Sequence, residues 1–421
     1  MRNHRLKFLF SISFILLFVC VSQSLAQGVM FRGAGAVNQS MGGAATAAPL
    51  SAGGALYWNP ATMSQFYGTS IDIDLGIAMP ESSISSTLPA AYGGLGGGTT
   101  ESDTGAIPIP NVAIVRRQED SPVALGFSFG ATGGAKTNYE SAPWYSNPIL
   151  SSGPVPQLGG AEVGYGNLSS SVQILQLGGH MSYSLTEKLS FSFSPILTIG
   201  EIACDPLYLV EGHQTPDTVI HSPGGRYVWG AGFMVGMFYD TQCGWRFGVS
   251  YKSQNWIEPI EFNTTYGKKT LKLDLPAVLS IGLSYDGFER WLFACDFRYY
   301  FHEDAGFDQV GWSDMFAMSI GAQYQLTERV ALRVGYSMNE NQLDSLFSRA
   351  CIAVPLIPQH ALFIGGSYRF DEHMAFHLTY GHVFKATASG PFGGPAAAAL
   401  GGDVTIAAEA DELAAGVTFN F

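Results

Sequence analysis

Few side chains in this sequence stand in patterns that do chemistry. Gly126-Phe127-Ser128-Phe129-Gly130 fits G-x-S-x-G, but a serine nucleophile needs a sharp strand-to-helix turn at that point, and the alternation around it reads as one uninterrupted strand. His302, Glu303, Asp304 and Asp308 gather donors in a loop, a cluster that is ordinarily just solvated and otherwise suits cations bridging lipopolysaccharide. No Cys-x-x-Cys or His-Glu-x-x-His occurs, so neither a metal centre nor a cofactor is expected. The run from Gly93 to Gly98 lacks the strand-helix context of a phosphate cradle. That leaves Trp58-Asn59-Pro60-Ala61 and the strand-borne cations Arg246, Lys252, Arg298, Arg333 and Arg369, which could meet a carboxylate or pair with Asp296 and main-chain carbonyls.

The elements that carry these residues are strands. Of 421 residues 47% are hydrophobic but only 13% are charged, about half the ~25% usual in soluble domains. Hydrophobicity at that level excludes disorder, and no stretch of ~18 apolar residues beyond the N-terminus marks a spanning helix. Instead the pattern has period 2. In Leu189, Phe191, Phe193, Pro195, Leu197 and Ile199 one face is apolar, while Ser190, Ser192, Ser194 and Thr198 make the other small and polar, broken only by Ile196. Aromatics sit near strand ends, as in Trp229 and Tyr239 or Trp291 and Phe301. A face without charges, aromatic girdles and strands of ~10 residues or more read as a wall against lipid, with the polar face lining a lumen.

Fourteen such strands are expected, at 69–79, 107–116, 122–137, 170–184, 188–202, 227–239, 243–262, 271–285, 290–302, 314–325, 329–338, 359–370, 373–385 and 404–421. Short turns, for instance Leu185 to Glu187, Asp240 to Gln242 and Asp371 to Glu372, alternate with longer connections, as an even-stranded antiparallel barrel with periplasmic turns and outer loops requires. Arg2, Arg5 and Lys7 ahead of the apolar Phe8 to Val21 and a Ser24-Leu25-Ala26 cleavage site read as a signal peptide over 1–26. Its removal takes the formal charge from −13 to −16, which argues against nucleic acid as a partner.

Residues 27–68 do not alternate. Their small residues suit a plug packed inside the barrel of 69–421, since a barrel this wide leaves a lumen to fill. The run Met41-Gly42-Gly43-Ala44 to Trp58-Asn59-Pro60-Ala61 resembles the hatch of the FadL/TodX family, outer-membrane transporters of long-chain fatty acids and other hydrophobic compounds. The resemblance continues through Leu275-Pro276, Arg333-Val334-Gly335-Tyr336, Gly365 to Phe370 and Tyr380-Gly381-His382, and the alternation ending on Phe421 resembles the signal read by the barrel-assembly machinery.

That resemblance implies a 14-stranded all-β transmembrane barrel, monomeric, set in outer-membrane lipid and lipopolysaccharide, taking a hydrophobic small molecule from outside and releasing it laterally. It implies that Trp58, Asn59, Pro60 and Ala61 belong to the gate and that Gly133-Gly134 marks an inward kink of the third strand. The inward apolar positions Val228, Met234, Phe238, Leu292, Tyr300 and Phe363, with Arg298 and Arg333, are the expected ligand contacts. Asn59-Pro60 alone is equally an Asn-Pro turn. The short loop at 264–270 and the modest one at 203–226 make an outer capture groove doubtful, leaving 80–106 and 138–169 to serve. Cys204 and Cys351, both in outer loops, are a candidate bridge. The rivals are a polar-solute porin, a barrel enzyme and a structural barrel.

Overall fold

The computed structural model describes residues 28–88, 94–153, 156, 160, 164–206, 224–264, 267–343, 352, 354–391 and 402–421. The segment read as a signal peptide and Cys351, half of the candidate bridge, lie outside the described residues.

Fourteen antiparallel strands, each paired with the next in sequence, form the wall. They are β1 (Gly68–Thr87), β2 (Ile107–Arg117), β3 (Val123–Tyr139), β4 (Leu168–Ser184), β5 (Leu189–Asp205), β6 (Arg226–Asp240), β7 (Trp245–Lys252), β8 (Ala277–Phe288), β9 (Trp291–Phe301), β10 (Met315–Gln325), β11 (Val330–Asn339), β12 (His360–Arg369), β13 (Met374–Pro391) and β14 (Asp403–Asn420). Pairing of β14 with β1, from Ser70 opposite Asn420 to Thr87 opposite Asp403, closes the barrel. The alternation turns into two surfaces because successive side chains on a strand point to opposite faces. On β5 Phe191, Phe193 and Leu197 are exposed outward, while Ser190, Ser192, Ser194 and Thr198 are buried inward with Ile196 among them.

Several boundaries differ from the expectation: β8 begins at Ala277 instead of 271, β5 runs on to Asp205 and so holds Cys204, expected in an outer loop, within the strand, and three further regions change more. The run expected as one strand over 243–262 ends at Lys252; Trp256–Ile257 returns to pair with β6, and Ile260–Thr264 forms a hairpin with Gly267–Leu271. Alternation is the same on both sides of that break, so only long-range pairing separates them. The region 80–106, expected as a loop, carries the upper part of β1 and a short strand, Gly96–Glu101, that pairs with it. β13 runs on to Pro391, six residues beyond the expected end at 385, because β14 continues alongside it to Asp403.

Residues 28–67 fill the lumen, nearly all of them buried. They contain helices α1 (Gly35–Ser40) and α2 (Ala52–Trp58), then a 3-10 turn, Pro60–Gln65. Such short helices have little stability of their own, and the wall supplies what they lack. Their open N–H groups are met by β1: Asp74 Oδ1 accepts from Ala36 at 2.9 Å and Asp72 Oδ2 accepts from Gly53 at 2.9 Å. A carboxylate at a helix N-terminus satisfies both an orphan donor and the helix dipole.

Candidate functional site

The hatch is held at its middle by β9. Asp296 Oδ2 accepts from the Ala45 and Thr46 N–H groups at 2.8 and 3.0 Å and from the Thr46 hydroxyl at 2.8 Å. Arg298 donates to the same oxygen at 2.6 Å, to Gly43 O at 2.7 Å and to Ser319 Oγ at 2.9 Å, and its guanidinium lies 3.5 Å from the centre of the Trp58 ring. With five donors and no acceptor, this arginine is committed to the wall and the hatch. Arg333 is similarly engaged, donating to Gln323 Oε1 at 2.7 Å and Ser367 Oγ at 2.6 Å.

Asn59 joins the two bodies. Its Oδ1 accepts from Ala61 N–H at 3.2 Å, capping the turn that Pro60 begins, while its Nδ2 donates to Thr46 O at 2.8 Å and to Met237 O on β6 at 3.0 Å. The turn geometry and the contact with the wall therefore coexist in one side chain. Close approach of hatch to wall also sets residue size: a Cβ at Gly248 on β7 would lie 1.9 Å from Thr46 O.

β3 parts from β2 just before the glycines, while it stays paired with β4 as far as Tyr139. Register with β4 shifts by one between Ala131 and Gly133, leaving Thr132 as the extra residue of a bulge. Pairing of β2 with β3 stops at Asn111 opposite Gly130, although β2 still pairs with β1 up to Ile107. Ile107 to Pro110 thus have no partner on β3, and Pro108 and Pro110 carry no N–H with which to make a full ladder. Beyond Gly130 the strand turns to the hatch instead. Met30 bridges Gly133, Phe31 N–H donates to Thr132 O at 2.9 Å, and Gly134 N–H donates to Val29 O at 3.1 Å. A Cβ at Gly133 would lie 2.4 Å from Val29 O, so only glycine admits this contact.

A cavity of about 140 Å³ lies at this discontinuity. Phe31, Ile107, Ile109, Leu356 and Val383 give it an apolar lining, with Gly134, Arg32 and Glu412 also at its surface. Arg32 and Glu412 form an ion pair at 3.8 Å, and Glu81, Lys136 and Glu409 also reach the lining.

The expected ligand contacts are buried, except the half-buried Arg333, but they stand elsewhere. Leu292 packs on Met41, Ala44 and Ala48 of the hatch; Phe363 packs with Ala361 and Val383; Val228 and Tyr300 belong to the large apolar cluster that includes Trp58. Met234 borders a second, smaller cavity, and Phe238 is fully buried. Hatch residues thus fill the space before Leu292 and share the cluster of Val228 and Tyr300, whereas Phe363 meets other wall residues. The cavity residues Ile107 and Ile109 were missed, although Ile107-Pro108-Ile109-Pro110 carries a signal, since prolines inside an apolar strand mark an unpaired edge. Ser128 of the G-x-S-x-G run lies 2.8 Å from His180 Nε2, but the other ring nitrogen faces Ser194 Oγ at 2.9 Å, not a carboxylate.

Comparison with known proteins agrees with this architecture. Residues 17–421 match the family model described as outer membrane protein transport protein (OMPP1/FadL/TodX). Among solved structures, the toluene transporter TodX of P. putida is 19% identical, with a TM-score of 0.68 over 93% of this chain and 99% of that one. A Pseudomonas aeruginosa FadL homologue is 14% identical, with a TM-score of 0.70 over 94% and 100%. The toluene transporter TbuX of Ralstonia pickettii is 17% identical, with a TM-score of 0.66 over 93% and 99%. At these identities the likeness is one of fold. No curated protein matches the chain.

Proposed function

Because the chain belongs to the OMPP1/FadL/TodX family of outer membrane transport proteins, we propose that it carries hydrophobic small molecules inward by a passive route through the gap between β2 and β3. Its place is the outer membrane. One observation carries the reading: the apolar cavity lies where the wall lacks a ladder and where the hatch, through Met30 and Phe31, replaces β2 as the partner of β3.

A hydrophobic solute outside the cell is stopped by the polysaccharide layer, not by hydrocarbon. Transfer of each CH2 from water into an apolar site gains ~0.8 kcal/mol, so an apolar path needs no energy source. Ligand enters the cavity beside Phe31, loosens the strand-like contact of residues 29–31 with β3, and leaves sideways into lipid past Ile107 and Ile109. Asn59, with Trp58, Pro60 and Ala61, keeps the rest of the hatch seated meanwhile. When the hatch shifts further, Val228, Met234, Phe238, Leu292, Tyr300 and Phe363 become the apolar surface along which larger ligands slide. Long-chain fatty acids and monoaromatic hydrocarbons, the latter in keeping with the toluene transporters of similar fold, are the leading substrate classes. The barrel works as a monomer after insertion by the assembly machinery.

Deletion of Thr132 tests this reading. It would restore one continuous β3–β4 register and let β3 rejoin β2, closing the gap. Uptake of a labelled alkane or toluene by lipopolysaccharide-bearing cells should then fall to the level of cells lacking the protein. Undiminished uptake by a folded, heat-modifiable deletion variant would exclude the side route.

A further inference from the structure

The leading end of the hatch is seated against an outer loop. Between β9 and β10 the chain folds back on itself: Ala305 and Phe307 N–H donate to His302 O, both at 3.1 Å, and a 3-10 turn, Phe307–Val310, leads on to Trp312. The donors that the sequence gathers here part company. Glu303, Asp304 and Asp308 are exposed, whereas His302 is fully buried, and no group of three His, Cys, Asp or Glu side chains able to hold a metal ion occurs among the described residues.

His302 lies in a box of rings. Its imidazole stacks on Tyr300 at 5.9 Å between centres and meets Phe307 and Trp312 edge to face at 5.5 and 5.6 Å. Neither ring nitrogen makes a hydrogen bond, and the indole N–H of Trp312 makes none either. The remaining side of the box is Gly28: a Cβ there would lie 2.7 Å from His302 Nε2, and its φ of +63° is one that glycine adopts readily. Of the elements packed against His302, β9 brings Tyr300, the approach to β10 brings Asp314, and the hatch brings Gly28, which has no side chain to titrate. Asp314 is itself engaged, accepting from Glu303 N–H at 3.0 Å and from the Tyr299 hydroxyl at 3.2 Å. A charge placed in this box would be desolvated with no partner to answer it. Burial accordingly holds the His302 pKa down at about 4, against the smaller opposing pull of the Asp314 carboxylate and the Ser313 main chain.

Gly28 is one end of a short span. Beyond it Met30 bridges Gly133, Phe31 N–H donates to Thr132 O and Gly134 N–H donates to Val29 O. Residues 28–31 are thus strung from the loop after β9 to the bulge of β3, and all four border the larger cavity. We propose that His302 is an acid-released latch on this span: once protonated, the imidazole leaves its box of rings, Gly28 loses its seat, and the strand-like contact of residues 29–31 with β3 loosens. The inference rests on the uptake reading and adds regulation to it, since the gate at the larger cavity opens more readily in a mildly acid medium.

Hydrogen exchange of the purified full-length barrel at about pH 7.5 and about pH 5 tests this, read at the Phe31 and Gly134 amides and divided by the intrinsic rate at each pH. A histidine with a pKa of about 4 when seated and the ordinary 6.5 when released keeps the latch closed above 6.5 and gives way as the pH falls towards 4, so the opening equilibrium should rise about thirtyfold between the two conditions. Amides shared by β14 and β1 should stay protected at both. In His302→Phe and, independently, His302→Leu, each shown to be folded by heat-modifiable migration, the rise should shrink to about threefold or less, the remainder belonging to Glu81, Glu409 and Glu412 at the cavity. A rise of about threefold or less in the parent, which needs no variant to fold, overturns the latch, as does an undiminished rise in both variants. Uptake of a labelled alkane by cells, a solute that does not itself titrate, separates the two readings. A parent that carries the alkane without any acid-dependent exchange keeps the uptake reading and loses the latch. One that shows the acid-dependent exchange but carries no hydrophobic compound at either pH keeps the latch and loses the uptake reading.

Discussion

Replacing Asp296 by alanine removes, in one step, the acceptor for two hatch N–H groups, one hatch hydroxyl and the Arg298 guanidinium. Arg298 and Asp296 are both fully buried, so the arginine keeps its charge with only Gly43 O, Ser319 Oγ and the Trp58 ring to answer it. Stripping one partner from a buried ion pair costs ~3–5 kcal/mol. That cost falls on the state in which residues 43–46 are seated, because an unseated hatch lets water reach Arg298. At ~1.4 kcal/mol per factor of ten, the fraction of molecules with the hatch displaced should rise by roughly a hundredfold to a few thousandfold. Planar-bilayer recordings should then show openings where the parent is quiet, and proteases added to the short-turn side should cut within residues 28–67. Adding Arg298→Met removes the stranded charge, so the double variant should open less often than Asp296→Ala alone. An Asp296→Ala barrel as quiet and as resistant as the parent, or a double variant no quieter than the single, would refute the claim that this carboxylate holds the hatch.

Asn59→Ala loses the bonds to Thr46 O and Met237 O, a cost of ~1–3 kcal/mol for the groups left unsatisfied; leakier barrels and altered uptake of a hydrophobic tracer are expected, whereas unchanged uptake would reduce the motif to a turn. Gly248→Ala puts a methyl group against Thr46 O, so the hatch must lift from β7; hydrogen exchange of the 44–48 amides should accelerate while the strands stay protected. Deletion of Thr132, which restores one register between β3 and β4, should lower uptake of a hydrophobic tracer by cells without loosening the hatch, so bilayer recordings should stay as quiet as those of the parent.

The wall was legible because its information is local. Each residue of β5 shows its face by parity, and even Ile196, the exception in the polar row, is buried inward where parity places it. The grip on the hatch was not legible, because it is made between residues far apart in sequence: Asp72 and Asp74 look like polar interruptions of a strand until the helices whose N–H groups they receive are placed beside them. The expected ligand contacts on β6, β9 and β12 followed from direction alone. Direction says that a side chain enters the lumen, but the volume already filled by Met41, Ala44 and Ala48 decides what it meets there. Gly133-Gly134 was expected to mark a kink, while the one-residue register shift beside it, at Thr132, is visible only through the pairing of β3 with β4.

The exit proposed beside Ile107 to Pro110, which pair with β1 but not with β3, has a thermodynamic corollary. A conduit whose exit opens onto hydrocarbon has a two-dimensional oil as its receiving compartment, so solutes are sorted by solvent and not by a sieve: a sugar small enough to fit would find no favourable place to go. Nothing in hydrogen bonds that break and re-form stores work, so microscopic reversibility requires the same path to run backwards. The direction of net flow then belongs to the cell, which sets it by how fast it consumes what has dissolved in its membrane.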